Sequence, residues 1–529
     1  MLFISLRLVI FIFVVIALSN SIFLLSSYAQ SNTLYLTHGI ASGDVTDNSA
    51  IIWARANKEA QMNVEYDNVF NFSKAMIKTT IVNKSTDFTG HIKLDNLTSD
   101  KAYYYRVWLS TLGKDNNNKN ASLIGKFKTA PYELSNRTVK LIIGGDLGGA
   151  ELCRRVDIGY SIFSVMKTLS PDFFIFNGDQ IYADNSCPEK EVKKFNFAPW
   201  YNVPGGDVPS VSNTSQVKVN WKNLTQLREV YVKHWEYNRA DPHLQKFLQS
   251  TSMYSQADDH EVINDYGGQW EYYWTKKFEN TEGYRNLVDT GIDVFFNFSP
   301  IERNRDEPDR IYRSFNWGKY LDLFLLDAHS YRSRSDLPDT PQNNKTLYGK
   351  EQLRWLVDGL LNSTSVWKVI STPVPITIPN CFAIKDGLGC DNWATNTSDT
   401  SIVNQTYIRE RVEFLKLLDK ENIKNVVFIA TDVHFAANVH VEQDFDGDGD
   451  MLIFYEMASG PLSTNTRDEP NKPDPTINTK SLYSEAAIFD FGYLKVEERR
   501  DDKKVHLFYN VIDENNRIRP GSSLNLIPQ

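Results

Sequence analysis

The sequence predicts an α/β domain preceded by an all-β domain, and three observations support this fold class. From about residue 33 to 132, short alternating runs such as "SAIIWARA" and "AYYYRVWL" are separated by Asn, Asp, Gly and Ser, which is typical of a β-sandwich. Further on, the continuous apolar runs "VKLIIGGD" and "PDFFIFNGD" flank a stretch with helical spacing, which indicates a βαβ unit with buried parallel strands. A third run of this kind, "NVVFIATDVH", follows far downstream.

The all-β region also contains a local similarity to a known domain type. The stretch "LDNLTSDKAYYYRV" resembles the tyrosine corner of fibronectin type III domains, in which an aromatic strand follows a Leu-Thr turn. We therefore predict a fibronectin-like sandwich over residues 33–132 and a larger α/β domain over residues 137–515.

The N-terminal segment, residues 1–30, predicts export. Arg7 precedes a long apolar stretch, and small residues around Ala29 are typical of a signal-peptide cleavage site. Because the apolar stretch is longer than most signal-peptide cores, an uncleaved N-terminal anchor is the alternative. In either case we expect the chain to be extracellular or at the cell surface, with membrane contact only through this segment.

Cysteine content and charge fit this compartment. The four cysteines are even in number; Cys381 and Cys390 bracket a loop, and Cys153 and Cys187 both follow predicted strand ends, so two disulfides are expected. The net charge of -9 and pI near 5.6 argue against nucleic-acid binding.

Four acidic clusters lie at the ends of predicted strands or just past them. They are "GDLG" at 145–148, "GDQIY" at 178–182, "DDHE" at 258–261 and "DVH" at 432–434. One Gly-Asp pair after a strand is typical of a turn. Carboxylates gathered at one sheet edge, however, repel one another and raise one another's pKa. A cation bound between them would offset this repulsion, so the clusters predict a shared metal site.

The order of these clusters resembles that of calcineurin-type metallophosphoesterases, and the rest of the chain is similar to PhoD-type alkaline phosphatases. Supporting stretches are "HGIASGDVTDNSAIIWAR", "DDHEVINDY", "LLDAHSYRS", "LYGKEQLRWL", "FIATDVHFAAN" and "SGPLS". The resemblance implies a four-layer α/β/β/α sandwich for the larger domain. It also implies an exported, metal-dependent phosphatase acting on phosphomonoesters, with phosphodiesters as further candidate substrates.

The resemblance further implies a site of two or three metal ions, bridged by Asp179. The other implied ligands are Asp258, Asp259, Asp265, Asp432 and His434. PhoD-type sequences commonly have Cys where this chain has Asp146. Together with Tyr182, Asp146 makes this half of the site more similar to purple acid phosphatases, in which the equivalent Asp and Tyr hold a ferric ion.

Ligand chemistry indicates which metals to expect. Fe³⁺ is a hard Lewis acid, which suits the carboxylates of Asp146 and Asp179 and the phenolate of Tyr182. The other site is rich in oxygen and has one motif histidine, which favours Ca²⁺, and next Mn²⁺, over Zn²⁺. We therefore expect Ca²⁺ and Fe³⁺, with Mn²⁺ and Zn²⁺ as alternatives.

Two further side chains are candidates for catalysis on small phosphoester substrates. His260 could protonate the leaving alkoxide or anchor the phosphate; alternatively, it orients Asp259. Arg332 could bind the phosphate with its planar donor fork, the alternative being an Arg that is solvated or paired with an Asp.

Alternatives to the PhoD-type interpretation stay open at this point. One is an enzyme of the purple acid phosphatase type, and another is a catalytically inactive surface protein that binds a partner. Against the second, no acidic motif position carries an apolar residue. The loop "DFDGDGD" at 444–450 is similar to a Ca²⁺ loop but lacks the later Glu of an EF-hand, so a hairpin turn is predicted there.

Overall fold

The N-terminal strands form a sandwich whose inner sheet continues into the rest of the molecule. The structure is a computed structural model and describes residues 33–529 apart from 114–118, 120, 193–199, 213–218, 268–280, 335–336, 382–389, 397 and 399–405. The first seven strands are β1 (Leu36–Gly43), β2 (Ala50–Ala56), β3 (Ala60–Asp67), β4 (Met76–Val82), β5 (Thr89–Leu94), β6 (Ala102–Ser110) and β7 (Leu123–Lys128). Strands β4-β3-β6-β7 form one sheet, and its buried residues, such as Val64, share a core with Ile52 of β2.

The remaining chain alternates strands and helices. The strands are β8 (Val139–Gly144), β9 (Phe173–Asn177), β10 (Glu191–Val192), β11 (Trp200–Tyr201), β12 (Ser252–Gln256), β13 (Arg313–Asn316), β14 (Leu321–Leu325), β15 (Trp367–Ser371), β16 (Val426–Ala430), β17 (Ala436–Gln443), β18 (Leu452–Ala458), β19 (Thr479–Glu485), β20 (Asp490–Glu498), β21 (Val505–Asp513) and β22 (Leu524–Leu526). The helices are α1 (Ile162–Thr168), α2 (Leu224–Arg239), α3 (Pro242–Leu248), α4 (Thr281–Phe298), α5 (Lys350–Asn362) and α6 (Ile408–Lys420).

Two large sheets organise the molecule. One has the strand order β22-β21-β20-β8-β9-β12-β1-β2-β5, and the other has the order β13-β14-β15-β16-β18-β17-β19. Strands β8, β9 and β12 are parallel, as are β14, β15, β16 and β18. Because β1 pairs with β12, the N-terminal strands extend the larger sheet.

The two sheets pack face to face. Both faces of β9 are buried, which explains why its sequence is apolar throughout. Phe173 and Ile175 lie in the core between the sheets, whereas Phe174 and Phe176 lie in the core beneath α1–α4. On the outer face of the second sheet, α5 and α6 cover a further core that includes Leu415. This order of layers confirms the predicted α/β/β/α fold.

Buried polar side chains join the carboxyl ends of the two sheets. The Thr431 hydroxyl donates to the carbonyl oxygen of Asn177 (2.6 Å), and the Asn177 amide donates to the carbonyl oxygen of Thr372 (3.1 Å). The amide of Gln256, the last residue of β12, donates to the carbonyl oxygen of Ser371 (3.0 Å). The ends of β9, β12, β15 and β16 are therefore held together at one place.

Three local predictions can be compared with the structure. The disulfides Cys153–Cys187 and Cys381–Cys390 are both present, and the first joins the loop after β8 to the loop after β9. Residues 444–450 connect the antiparallel strands β17 and β18, as the predicted hairpin turn requires.

Among the described residues, no helix has the length and apolar character needed to cross a membrane. The predicted signal or anchor segment, residues 1–30, lies outside the described residues.

The core beneath α1–α4 gives a stability prediction. The buried Phe163 ring lies 6.3 Å from the Phe174 ring and 5.8 Å from the Phe247 ring, between centroids. We expect Phe163→Ala to lower the free energy of unfolding by about 3–5 kcal/mol, because apolar burial is lost and a cavity remains. Phe70→Ala, at a position 62% exposed, is the matched control and should cost less than about 1 kcal/mol in the same urea titration. Equal losses would contradict this packing.

Candidate metal centre

The candidate site is built on strained turns that follow the strands. Asp146 follows β8, Asp179 follows β9 and Asp432 follows β16, with φ of 58°, 47° and 70°. Asp265 and His434 also have positive φ, at 55° and 58°. Such left-handed backbone is uncommon outside glycine, is tolerated best by Asp, Asn and His, and clusters at functional sites.

Two glycines allow the backbone to pass close to these carboxylates. Gly178 has φ of 80°, and a Cβ at this position would lie 2.4 Å from the Cβ of Asp258. Gly460 has φ of 108°, and a Cβ there would lie 2.8 Å from Oδ2 of Asp146. A larger residue at either position would displace a predicted ligand.

Carboxylate and imidazole atoms converge in three overlapping groups, and within each group they lie no more than 4.8 Å apart. The groups are Asp146, Asp179 and His434; Asp179, Asp259 and His260; and Asp259, Asp265 and Asp391. Because Asp179 and Asp259 each belong to two groups, the three form one continuous cluster. The bridging role of Asp179 stays a prediction, but its place between His434 and Asp259 is the one that such a role requires.

Tyr182 lies beside the first group. Its hydroxyl is 3.0 Å from Nε2 of His434, which is 3.8 Å from Oδ1 of Asp146. Burial raises the pKa of the Tyr182 phenol well above its usual value, and the negative charges of Asp179 and Asp146 add to this. Burial also lowers the pKa of His434 to about 3. A neutral imidazole and a phenol beside two carboxylates are a donor set that suits a hard trivalent cation.

Asp258 and Asp432 are bonded to neighbouring side chains. Oδ1 of Asp258 lies 2.7 Å from Nε2 of His329, whose Nδ1 lies 2.9 Å from the carbonyl oxygen of Tyr266. Oδ2 of Asp432 accepts a hydrogen bond from the Asn380 amide at 2.7 Å. In the described part of the chain, neither carboxylate belongs to the three groups, so only Asp259 of the Asp258–Asp259 pair is in the cluster.

His260 is held by a carboxylate that the motifs did not single out. Its Nδ1 lies 2.6 Å from Oδ1 of Asp184, and its Nε2 lies 3.9 Å from Oδ1 of Asp259. Burial lowers the pKa of His260, but the carboxylates of Asp184, Asp259 and Asp179 outweigh burial and raise this pKa well above its usual value. The close partner of His260 is therefore Asp184, and Nε2 is the atom left on the Asp259 side.

Glu261 supports the backbone of the site, although its place in "DDHE" does not by itself indicate a role. Its fully buried carboxylate accepts hydrogen bonds from the backbone N–H groups of Asp258 (2.9 Å), Asp179 (3.1 Å) and Gln180 (2.6 Å). These bonds tie the loop after β9 to the loop after β12.

The oxygen atoms of the site fit bound cations. Within the described ranges, five buried oxygens of the predicted ligands and of the neighbouring Asn380 and Asp391 have no hydrogen-bond partner: Oδ2 of Asp146, Oδ2 of Asp258, Oδ1 of Asp259, Oδ1 of Asn380 and Oδ2 of Asp391. Burial raises the pKa of Asp146 and of Asp265 to about 8. Buried oxygens of this kind are costly unless a proton or a cation satisfies them. The all-oxygen group around Asp265 suits Ca²⁺ in particular.

A cavity of about 340 Å³ opens over the cluster, and we call it the catalytic cavity. Its lining includes six predicted residues: Tyr182, Asp259, His260, Asp265, Asp432 and His434. It also includes five side chains that sequence reasoning missed: Asn185, Asn264, Asn380, Asn465 and Arg467. Isolated Asn and Arg residues in loops carry no motif signal, because only folding brings them to the site.

Arg332 is placed apart from this lining. Its side chain is 1% exposed and forms an ion pair with Asp391, and it is absent from the described lining of the catalytic cavity. This arrangement corresponds to the alternative of an Arg paired with an Asp, and it holds Asp391 beside Asp265. A contact between Arg332 and a substrate phosphate stays a prediction.

Comparison with known proteins identifies the family. Residues 151–507 match the family model of PhoD-like phosphatase, and residues 24–131 match that of the PhoD-like phosphatase N-terminal domain. The chain belongs to the PhoD-like phosphatase family. It is a metal-dependent phosphatase, and the predicted hydrolysis of phosphoric ester bonds is confirmed at this level.

Relatives of this PhoD-like phosphatase agree with the assignment. Alkaline phosphatase D of Bacillus subtilis (strain 168) is 24% identical over 516 residues, which cover 91% of this chain and 78% of the relative. A solved structure of PhoD has a TM-score of 0.66 at 19% identity and covers 91% of both chains. A purple acid phosphatase from yellow lupin (Lupinus luteus) seeds has a TM-score of 0.56 at 12% identity, covering 92% of this chain and 73% of the other. At these identities the two structures show a shared fold.

The raised carboxyl pKa values predict how the metal-free protein responds to pH. Asp146 and Asp265 have a pKa of about 8 when folded and 3.8 as the ordinary value, so the folded state retains protons that the unfolded chain has lost. We expect the unfolding temperature in chelator to fall as pH rises through about 7 to 8, where the unfolded state binds fewer protons. Buried neutral histidines such as His38 oppose this trend only below their ordinary pKa of 6.5.

Bound cations would replace these protons, so protein reloaded with metal ions should lose this slope in the same thermal scan. A metal-free protein whose unfolding temperature stays level or rises over this pH interval would contradict the account.

Proposed function

We propose that this PhoD-like phosphatase is an exported enzyme that hydrolyses small phosphomonoesters, with phosphodiesters as further substrates. The observation that carries the proposal is the continuous cluster around Asp179 and Asp259, which adjoins a cavity of about 340 Å³. A cavity of this size suits a phosphoryl group with a small substituent. Export is supported by the two disulfides, which persist in oxidising compartments, and by the predicted signal segment.

We propose two metal sites that share the cluster. Fe³⁺ would be held by four residues: Asp146, Asp179, Tyr182 and His434. Ca²⁺, or Mn²⁺ as the alternative, would be held by oxygens of Asp259, Asp265, Asp391 and Asn380, since this set contains no nitrogen donor. Asp179 would be shared between the two sites. When bound, such ions would supply Lewis-acid chemistry, polarising the phosphoryl oxygens and lowering the pKa of a water molecule. Asp258 and Asp432 are further candidate ligands.

His260 is proposed to protonate the leaving group. Asp184 accepts from Nδ1 and so leaves Nε2 on the side of the catalytic cavity, which His260 lines. The neighbouring carboxylates favour the protonated ring, so His260 can donate a proton to the departing alkoxide.

The first functional test replaces the proposed bridging ligand. Asp179→Asn keeps the side-chain shape but removes the charge, so we expect bound metal to decrease and turnover of nitrophenyl phosphate to fall by about 100-fold or more. Circular dichroism should confirm an unchanged fold. Asp157→Asn, at a side chain 55% exposed, is the control and should keep full activity. A folded Asp179→Asn variant with normal turnover would refute the bridging role.

The role of His260 can be tested by varying the leaving group. We expect His260→Gln to slow hydrolysis of glycerol phosphate by about 100-fold, because its alkoxide needs a proton. Hydrolysis of nitrophenyl phosphate should slow by less than about 10-fold, since nitrophenolate departs without one. His243→Gln on α3 is the control. Equal losses on both substrates would instead indicate that His260 orients Asp259.

A further inference from the structure

A second cavity of about 370 Å³ adjoins the catalytic cavity, and the two share Arg467 in their walls. We call it the side cavity. Its lining includes three prolines, Pro379, Pro473 and Pro475, together with Asn471 and Lys472. The proposed hydrolysis assigns no role to this space or to its cationic residues.

The two cavities differ in charge. Among the described residues, the lining of the side cavity has two cationic side chains, Arg467 and Lys472, and no carboxylate. Asp474 lies between two of the lining prolines, but its side chain is fully buried and pairs with Arg411 at 2.6 Å. The catalytic cavity, by contrast, is lined by three carboxylates. In a chain with a net charge of -9, a space whose described lining has two cations and no carboxylate is suited to an anion.

Backbone contacts fix the wall between the cavities. The N–H of Arg467 donates to the carbonyl oxygen of His434 at 3.2 Å, and its own carbonyl oxygen accepts from the N–H of Ala487 at 3.2 Å. The Asn471 amide donates to the carbonyl oxygen of Pro379 at 2.8 Å, which joins two segments of the side-cavity wall. Arg467 is therefore presented to both cavities from a backbone held on both sides.

We propose that the side cavity binds a second anionic group carried by the leaving group of the substrate. This inference rests on the proposed function. With the reacting phosphoryl group at the carboxylate cluster, the carbon skeleton of the leaving group would lie against the prolines. Its anionic group would pair with Lys472 and with the guanidinium fork of Arg467. The substrate class is a phosphoester whose leaving group carries a carboxylate or a second phosphate.

Three substrates of the full metal-loaded chain test this proposal. Glycerol phosphate has an uncharged leaving group, phosphoglycerate adds a carboxylate, and glycerol bisphosphate adds a phosphate. We expect kcat/KM for at least one of the two anionic substrates to exceed that for glycerol phosphate by about tenfold or more. The substrate with the larger preference identifies which anion the side cavity takes. Equal values for all three substrates would overturn the proposal.

Variants locate the source of the preference. Lys472→Gln and Arg467→Gln should each lower the ratio between anionic and uncharged substrates by about fivefold, mainly through KM. Arg500→Gln is the control, because Arg500 lies at the opposite end of the sheet from the site. It follows β20, in which Val496 pairs with Val139 at the start of β8, whereas the site follows the end of β8. An unchanged ratio in both Lys472→Gln and Arg467→Gln would refute the assignment.

A binding measurement separates this inference from the proposed function. Phosphonoacetate and methylphosphonate resist hydrolysis and differ by one carboxylate. Propane-1,3-diphosphonate also resists hydrolysis, carries a second phosphonate, and is used in the same calorimetric titration. If no substrate is turned over, the proposed function fails. The side cavity is still supported if phosphonoacetate or propane-1,3-diphosphonate binds more tightly than methylphosphonate and Lys472→Gln removes that difference. Equal binding of all three ligands would overturn it.

Discussion

The site depends on negative charge that the fold collects away from water. Asp146, Asp179, Asp258 and Asp259 are each at most 4% exposed, and they lie at the ends of neighbouring parallel strands. Carboxylates in such a place are costly unless they are protonated or bound to cations. Burial accordingly raises the pKa of Asp146 to about 8, and it raises the pKa of Asp179 and of Asp258 well above the ordinary value. Metal binding, proton release and stability are thereby linked in one set of residues.

Hydrogen bonds and a disulfide fix the loops that carry these carboxylates. Glu261 holds the loops after β9 and β12 through three backbone N–H groups. The Cys153–Cys187 disulfide joins the loop after β8 to the loop after β9, so the turns that carry Asp146 and Asp179 are linked covalently as well. These supports limit the backbone movement that would separate the ligands, and such positioning is what metal-assisted hydrolysis requires.

The sequence predicted those parts of the molecule that have a local signal. A continuous apolar run that ends in Gly-Asp marks a buried parallel strand with a polar end, so β8, β9 and their carboxylates could be placed in advance. The pairing of Gly43 in β1 with Met253 in β12 could not be predicted from the sequence, because it joins residues more than two hundred positions apart. Arg467 and Asn380 were missed for the same reason, since each reaches the catalytic cavity from a loop without a motif. Arg332 was singled out because of its motif, yet its partner, Asp391, is set by tertiary packing.

The most direct test of the central claim is the metal content and visible absorption spectrum of the purified full chain and its Tyr182→Phe variant. The account predicts that iron and calcium remain bound after gel filtration and that an iron-phenolate band is present. Tyr182→Phe should remove that band while calcium stays bound. A correctly folded chain that retains neither metal after both have been supplied would contradict the claim that these carboxylates are gathered to hold cations.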